Sequence, residues 1–529
     1  MDRRSFNKLL VGALGASAFP LSWIASPASA SGERVINTIV NPEPATLMIG
    51  LNQQAPTGLV ASKIYQGLVR YDFDLNPMPC LASDWSVSAD GLEYTFTIRD
   101  DVLWHDGTPM TVHDVIFTAT EFLPQTNPRS RLILGKCASI TASENNTVTF
   151  RLAAPFGPFL LAFDASTFPV LPAHLYEGTD FRSNPNNDTP IGTGPFKLAE
   201  WVRGSHIHLV RNEDYYIDDK PYVSDIYYRI IPDAASRALA LENGTVQLGQ
   251  ASDVEPMDFG RLAALPNLTR IDRGYEFSAP ILWLEINNRV EHLSDRRMRQ
   301  AIMHAMDRNF IVDNIFFGIG SAATGPINTR TKYYSENKRV YDFDLVAANQ
   351  LLDNMGLTAG ADGIRTRFDL IVPPFGEVFA RLSEYTRQAL RQIGIDVNLV
   401  TTDVAGFASA LSNWDYQLTF NYTFQYGDPA LGVARTYITD NIVQGVLFSN
   451  TAGYSNPDVD ARFAAAESTI DETERTHLYE QVQQLLAEDV PLGWLVEMEF
   501  PALQANSLED VITTATGLNG DFENARVIG

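Results

Sequence analysis

The sequence predicts an α/β protein of two lobes carrying a small additional subdomain. Three observations lead there. The chain has 529 residues, too many for one hydrophobic core, so two to three domains are expected. Between residues 190 and 248 a helix is followed by a strand at the spacing of a crossover in an α/β sheet. From 281 to 500 helices and strands alternate repeatedly, the pattern of a second α/β lobe.

The first 30 residues read as an export signal rather than as part of the fold. Asp2-Arg3-Arg4-Ser5-Phe6-Asn7-Lys8 is a charged start, Leu9 to Trp23 is moderately apolar, and Ala28-Ser29-Ala30 is a small-x-small cleavage site. Cleavage after Ala30 is expected. Arg3 and Arg4 with Phe6 and Lys8 resemble a twin-arginine signal, which implies export in the folded state; a general secretory signal is the alternative. No later stretch has the ~18 uninterrupted apolar residues of a membrane span, and no cysteine follows the cleavage site to take a lipid. The mature protein is therefore expected free in the periplasm. Its formal net charge of −25 and pI of about 4.7 argue against nucleic-acid or anionic-membrane partners. The sign of charge inside a pocket is a separate matter.

Val35 to Val40 reads as a strand, followed by the turn-rich Asn41-Pro42-Glu43-Pro44, and residues 59 to 70 read as a helix ending near Gly67. Asp90-Gly91 is a hairpin turn. Behind it Tyr94, Phe96 and Ile98 alternate with polar residues, the period of a half-buried strand. Thr111 and Asp114 form a box-like helix start, and Thr147 to Leu152 is a second alternating strand. These elements make a mixed subdomain over 73–187. Cys80 and Cys137 each lie near a strand of its sheet, which leaves open a disulfide or two buried free thiols. Strands start at Phe196, His206 and Ser224. Asp233 caps a helix that ends at Gly244, and Thr245 to Leu248 is the next strand. Ile281 to Ile286 is a nearly continuous apolar strand, as expected for a buried sheet. One long helix is expected from Asp295, with Gly318 past its end, and Asp307 and Arg308 paired near a helix end. Helix 378–393, strands 395–400 and 415–422, helix 474–489 and strand 492–500 complete the second lobe.

Four blocks in order resemble the family 5 extracellular solute-binding proteins, the dipeptide- and oligopeptide-binding group. The first runs from Leu81-Ala82-Ser83-Asp84-Trp85 through Asp90-Gly91-Leu92-Glu93-Tyr94 to Trp104-His105-Asp106-Gly107-Thr108-Pro109. The second joins Gly192-Thr193-Gly194-Pro195-Phe196 to Arg211-Asn212-Glu213-Asp214-Tyr215-Tyr216. The third is Asp295-Arg296-Arg297-Met298-Arg299-Gln300-Ala301-Ile302 with Met306-Asp307-Arg308. The fourth is Tyr454-Ser455-Asn456-Pro457-Asp458. The resemblance implies a two-lobed periplasmic-binding-protein fold of the large, three-segment type, with an extra subdomain on lobe I. It divides the chain into lobe I (31–72), the subdomain (73–187), lobe I (188–275), lobe II (276–499) and a return to lobe I (500–529). It implies a monomer that closes on a peptide-sized solute and delivers it to the permease subunits of an ABC importer, without a cofactor and without catalysis.

In that family the pocket lies between the lobes. Residues 413–428 look like the lobe II wall and contribute Trp414, Tyr422, Phe424, Gln425, Tyr426 and Asp428. Asn52, Gln53 and Gln54 in an early loop, Trp283 and Glu285 on the first lobe II strand, and Trp494 and Glu497 on the returning strand are further candidates. A carboxylate on an apolar strand must be paired or face the cleft. Classical peptide binders hold the ligand's amine with an aspartate at the position of Gln425, unless the register shifts to Asp428. Their carboxylate-binding arginine falls near Pro373 here, and the next arginine is Arg381. Both clamps for a free dipeptide look absent. A longer or modified peptide, an opine-like compound or an oligosaccharide is expected instead, with nickel and haem as further alternatives. For a hydrolase there is no Gly-x-Ser-x-Gly elbow, His-Glu-x-x-His or phosphate loop. His206 and His208 share a strand face without an acidic or cysteine partner in the motif, and read as a solvated strand edge.

Overall fold

The computed structural model describes residues 34–143, 145–447 and 449–528. The export signal and its cleavage after Ala30 lie outside the described residues.

Three sheets carry the fold. The first has seven strands, in the spatial order Leu268–Ile271, Ala502–Ala505, Leu248–Gln250, Val35–Ile39, Asp225–Arg229, His206–Arg211 and Phe196–Val202. Val35–Ile39 runs parallel to both neighbours. A parallel pair needs a crossover, and the helix Ala234–Glu242 provides it, linking the strands on either side. Asp233 caps that helix by accepting from the Ser236 N–H.

The second sheet is antiparallel, in the order Ala82–Val87, Glu93–Ile98, Thr147–Leu152 and Cys137–Ala142. Gly91 turns its first hairpin at φ 65°. Phe96 and Phe150 point inward and are fully buried. The helix Val112–Phe117 starts with the expected capping box between Thr111 and Asp114. The apolar core of this sheet is continuous with that of the seven-stranded sheet: Phe96 and Phe150 belong to one cluster with Ile36, Ile207 and Tyr228.

The third sheet has six strands, in the order Ser321–Ala322, Gly493–Glu497, Ile281–Ile286, Leu418–Thr423, Thr366–Val372 and Ile395–Thr401. All six residues of Ile281–Ile286 are buried, because core clusters cover both faces of the sheet. The chain passes between this sheet and the seven-stranded one twice, after Ile271 and after Glu497. The two passages touch where the Met498 N–H donates to the Pro280 carbonyl at 3.0 Å.

Several local expectations change. The helix read over 59–70 is Ala55–Ala61. Beyond it the Gly67 and Leu68 carbonyls accept from the Leu81 and Ala82 N–H groups, so that backbone is committed to another segment. The helix from Asp295 stops at Ala305, and Met306 is extended. Asp307 then caps a new short helix through the Phe310 N–H. Asp307 and Arg308 do not pair: Arg308 donates to the carbonyls of Ala323 and Tyr341. Cys80 and Cys137 are free thiols. The strand His206–Arg211 lies inside the sheet rather than at its edge. Its histidines meet acidic partners on neighbouring strands, His206 with Glu200 at 3.0 Å and His208 with Asp225 at 2.7 Å. The strand Thr366–Val372 and the helices Leu345–Asn354, Val404–Asn413 and Pro457–Ser468 were not anticipated.

Candidate ligand cleft

The strand Leu418–Thr423 delivers the wall of the cleft. Past its end Gln425 still donates its N–H to the Ser278 carbonyl at 2.7 Å, and the extended alternation continues. Gln425 therefore points inward. Its amide donates to the Pro326 carbonyl at 3.0 Å and accepts from the Asn328 N–H at 3.1 Å. Phe424 and Tyr426, on either side, face the opposite way. Tyr426 and Gly427 then take positive φ values of 52° and 73° and turn the chain into Asp428. Gly432 packs directly beneath this turn; a Cβ there would sit 2.4 Å from Gln425 Cα, so no larger residue fits.

Asp428 is a structural anchor. It caps the next turn through the Ala430 N–H at 2.9 Å and pairs with Arg475 at 2.6 Å, with the Tyr479 hydroxyl at 3.2 Å. Burial pushes its carboxyl up, and Arg475 opposes the shift. Neither Gln425 nor Asp428 presents a group to the cleft, so neither candidate register for the amine clamp is realised.

Two cavities meet at Phe424 and Tyr426, which line both. The first is about 250 Å³. Gln53, Gln54, Arg70 and Arg129 line it from one side, and Phe277 and Ser278, on the first passage between the sheets, line it from the other. Arg70 is neutralised by Asp521 at 3.0 Å and Glu523 at 2.9 Å. Asp164, also in the lining, accepts from Ser166 and Thr167. Cys80 touches this cavity as well, and burial pushes its thiol up to about 11, which removes it as a nucleophile at neutral pH. The second cavity is about 440 Å³. It is mainly apolar, with Phe375, Phe379, Phe407, Leu411 and Tyr422 in its wall and Arg435 at one side.

The remaining candidates lie elsewhere. Glu285 is buried and accepts from Trp283 Nε1 at 2.5 Å, Thr451 at 2.7 Å and Tyr416 at 3.2 Å. Burial raises its pKa, and these donors oppose the shift. Trp494 is buried and donates to the Tyr437 hydroxyl at 2.8 Å. Glu497 accepts from the Thr329 hydroxyl at 2.5 Å. Both carboxylates are thus paired internally and do not face the cleft. Trp414 ends a helix in the left-handed conformation and stacks on Arg289 at 3.9 Å. Asn52 hydrogen-bonds the Gln54 backbone N–H at 2.9 Å and lines neither cavity. Arg381 pairs with Glu377 at 3.3 Å on the surface of its helix. Sequence reasoning missed Arg129, Arg435, Phe277, Phe375 and Phe407. They come from five distant segments, and no local pattern marks any of them. Among the described residues, no group of three or more His, Cys, Asp or Glu is arranged to hold a metal ion, and no helix is long and apolar enough to cross a membrane.

The model of the bacterial extracellular solute-binding proteins, family 5, matches residues 76–444. The probable D,D-dipeptide-binding periplasmic protein DdpA of Escherichia coli is 28% identical over 506 residues, 94% of each chain. Protein XP55 of Streptomyces lividans is 28% identical over 471 residues, covering 86% of this chain and 82% of the relative. Among solved structures, the ABC transporter substrate-binding protein CtaP of Listeria monocytogenes superposes with a TM-score of 0.82 at 23% identity, over 94% of this chain and 100% of that one.

Proposed function

The chain belongs to the family 5 bacterial extracellular solute-binding proteins, and from that premise we propose that it is the exported binding component of an ABC importer, capturing a peptide-sized solute between two lobes and handing it to the permease. The observation that carries this reading is the first cavity. Gln53, Gln54 and Arg70 on one wall come from the part of the chain built on the seven-stranded sheet. Phe424 on the other comes from the six-stranded sheet. Two adjacent passages join these bodies. A solute bound to both walls binds the closed arrangement better than the open one and shifts the population towards it.

Lobe I is formed by 31–72, 188–275 and 500–529, the subdomain by 73–187 and lobe II by 276–499. The mature protein acts as a periplasmic monomer after cleavage at Ala30, exported by the twin-arginine route. The inward commitment of Gln425 and Asp428 supports a ligand other than a simple free dipeptide, such as a longer or modified peptide or an opine-like compound. The test is a thermal-shift screen of mature protein stripped by unfolding and refolding, with dipeptides, longer peptides, opines, oligosaccharides, nickel and haem. A ligand at ~100 times its Kd should add about 2.7 kcal/mol of stability. A shift by free dipeptides overturns the non-dipeptide reading, and no shift by any class overturns the binding role.

A further inference from the structure

We propose that the solute carries an acidic group, received by Arg129 and Arg435 beside the Tyr426 ring, and an apolar body that fills the phenylalanine-lined chamber. This inference rests on the binding-protein reading and names the ligand chemistry of the same cleft.

Two of the three arginines of the cleft have no acidic partner of their own. Arg70 has Asp521 and Glu523. Asp164 accepts hydrogen bonds from Ser166 and Thr167, and Asp428 is committed to Arg475. Arg129 and Arg435 have no carboxylate within ion-pair distance among the described residues. Arg129 makes one long bond, Nη2 to the Ser166 carbonyl at 3.4 Å, and its buried Nε has no partner. Arg435 makes one, Nε to the Gly432 carbonyl at 3.3 Å. A guanidinium carries five donors, so most of theirs are unused.

The two cations are neighbours. The Arg129 guanidinium carbon lies 4.4 Å and that of Arg435 5.9 Å from the centre of the Tyr426 ring. Burial, and to a smaller extent the charge of Arg129, lower the pKa of Arg435 below its usual range, while Tyr426 opposes the shift. The ring face recovers part of the cost of desolvating two like charges; an anion would recover more, through short charge-assisted hydrogen bonds. Arg129 lines the first cavity, Arg435 the second, and Tyr426 both, which places the anion at their junction. From there the second cavity offers Phe375, Phe379, Phe407 and Leu411, a chamber for an aliphatic or aromatic body. Of the two carboxylates that line the cavities, Asp521 is paired with Arg70 and Asp164 is turned to the donors of Ser166 and Thr167 in its own loop. The chemistry selected is an acid with an apolar body that does not depend on a free amine.

The test compares N-acetyl-alanyl-phenylalanine with its C-terminal amide by isothermal titration on the stripped mature protein. The two probes share one body and differ in one charge. The acid is expected to bind at least about tenfold tighter than the amide, the worth of one charge-assisted hydrogen bond. Arg129→Gln and Arg435→Gln should each remove most of that advantage by weakening the acid far more than the amide, and Arg435→Lys should restore part of it. Equal affinity for acid and amide, no binding of the acid at millimolar concentration, or variants that weaken both probes alike would overturn the inference. Small-angle scattering of wild type with neutral and cationic solutes separates the two levels. Compaction by one of these without compaction by the acid leaves the binding role standing and removes the anion preference. No compaction by any solute removes both.

Discussion

His105 is held between two backbone groups. The Gly192 N–H donates to its Nδ1 at 3.3 Å, and its Nε2 donates to the Gly194 carbonyl at 2.9 Å. A ring that accepts at one nitrogen and donates at the other is neutral. Burial pulls its pKa down to about 4, and the Gly194 carbonyl only partly opposes this. Because the folded value lies below the unfolded one of about 6.5, the stability His105 contributes is fully present above pH 6.5 and is lost as pH falls towards 4. In urea titrations at a series of pH values, the advantage of wild type over His105→Gln should shrink by up to about 3 kcal/mol across that window. A constant difference would show that the ring does not titrate with folding. The glycines that frame it are required by close approach: a Cβ on Gly192 would sit 1.9 Å from the Ile64 carbonyl oxygen, and one on Gly194 2.3 Å from that of Lys63. The hallmark Gly192-Thr193-Gly194 is therefore a packing motif, with its histidine partner 87 residues away.

The helix Glu472–Asp489 shows what an element contributes beyond its apolar stripe. Its apolar stripe consists of Val482 and Leu486, which are fully buried, and Leu478 and Leu485, which are half-buried. From the same helix Arg475 reaches Asp428, the Tyr333 hydroxyl at 2.8 Å and the Ala466 carbonyl at 2.9 Å. This helix thereby holds the turn that aims Phe424 and Tyr426 into the cleft. Arg475→Met leaves a buried carboxylate unpaired and should cost about 3–5 kcal/mol, whereas Arg475→Met combined with Asp428→Leu should recover most of that loss. Urea denaturation of the two variants measures the difference. A double variant no more stable than the single one would show that the pair is held by more than its own charges. A 3.6-residue period reports which face is apolar. It carries no information on a partner 47 positions away, so the anchor was not legible and Asp428 reads in sequence as a ligand candidate.

For the molecule as a whole, the arrangement of cores matters more than the number of sheets. The four-stranded sheet of the 73–187 segment shares one continuous cluster with the seven-stranded sheet, through Phe96, Phe150, Ile36 and Tyr228 among others. The six-stranded sheet has its own clusters on each face. A segment that buries its apolar face against another part of the chain lacks a core of its own. An isolated 73–187 fragment should therefore show no cooperative thermal transition and no near-ultraviolet circular dichroism. A sharp transition from that fragment would mean that its phenylalanine cluster suffices alone.

The residues by themselves determined the α/β character, the capped helix at Thr111 and Asp114, the crossover after Asp233 and the buried strand Ile281–Ile286. Each follows from periodicity or turn chemistry within about ten residues, where sequence spacing and spatial spacing coincide. Gln53, Gln54, Phe424 and Tyr426 were also legible as cleft candidates, from an early polar loop and an aromatic strand end. Tertiary structure alone decided which carboxylates are spent internally. Glu285 and Glu497 are both acids on apolar strands, and the distant donors Thr451, Tyr416 and Thr329 make them structural, as Arg475 does for Asp428. It alone also placed Arg129 and Arg435 beside Tyr426. Their segments meet only when the sheets pack, because the charge balance of a cavity is set by every element that walls it.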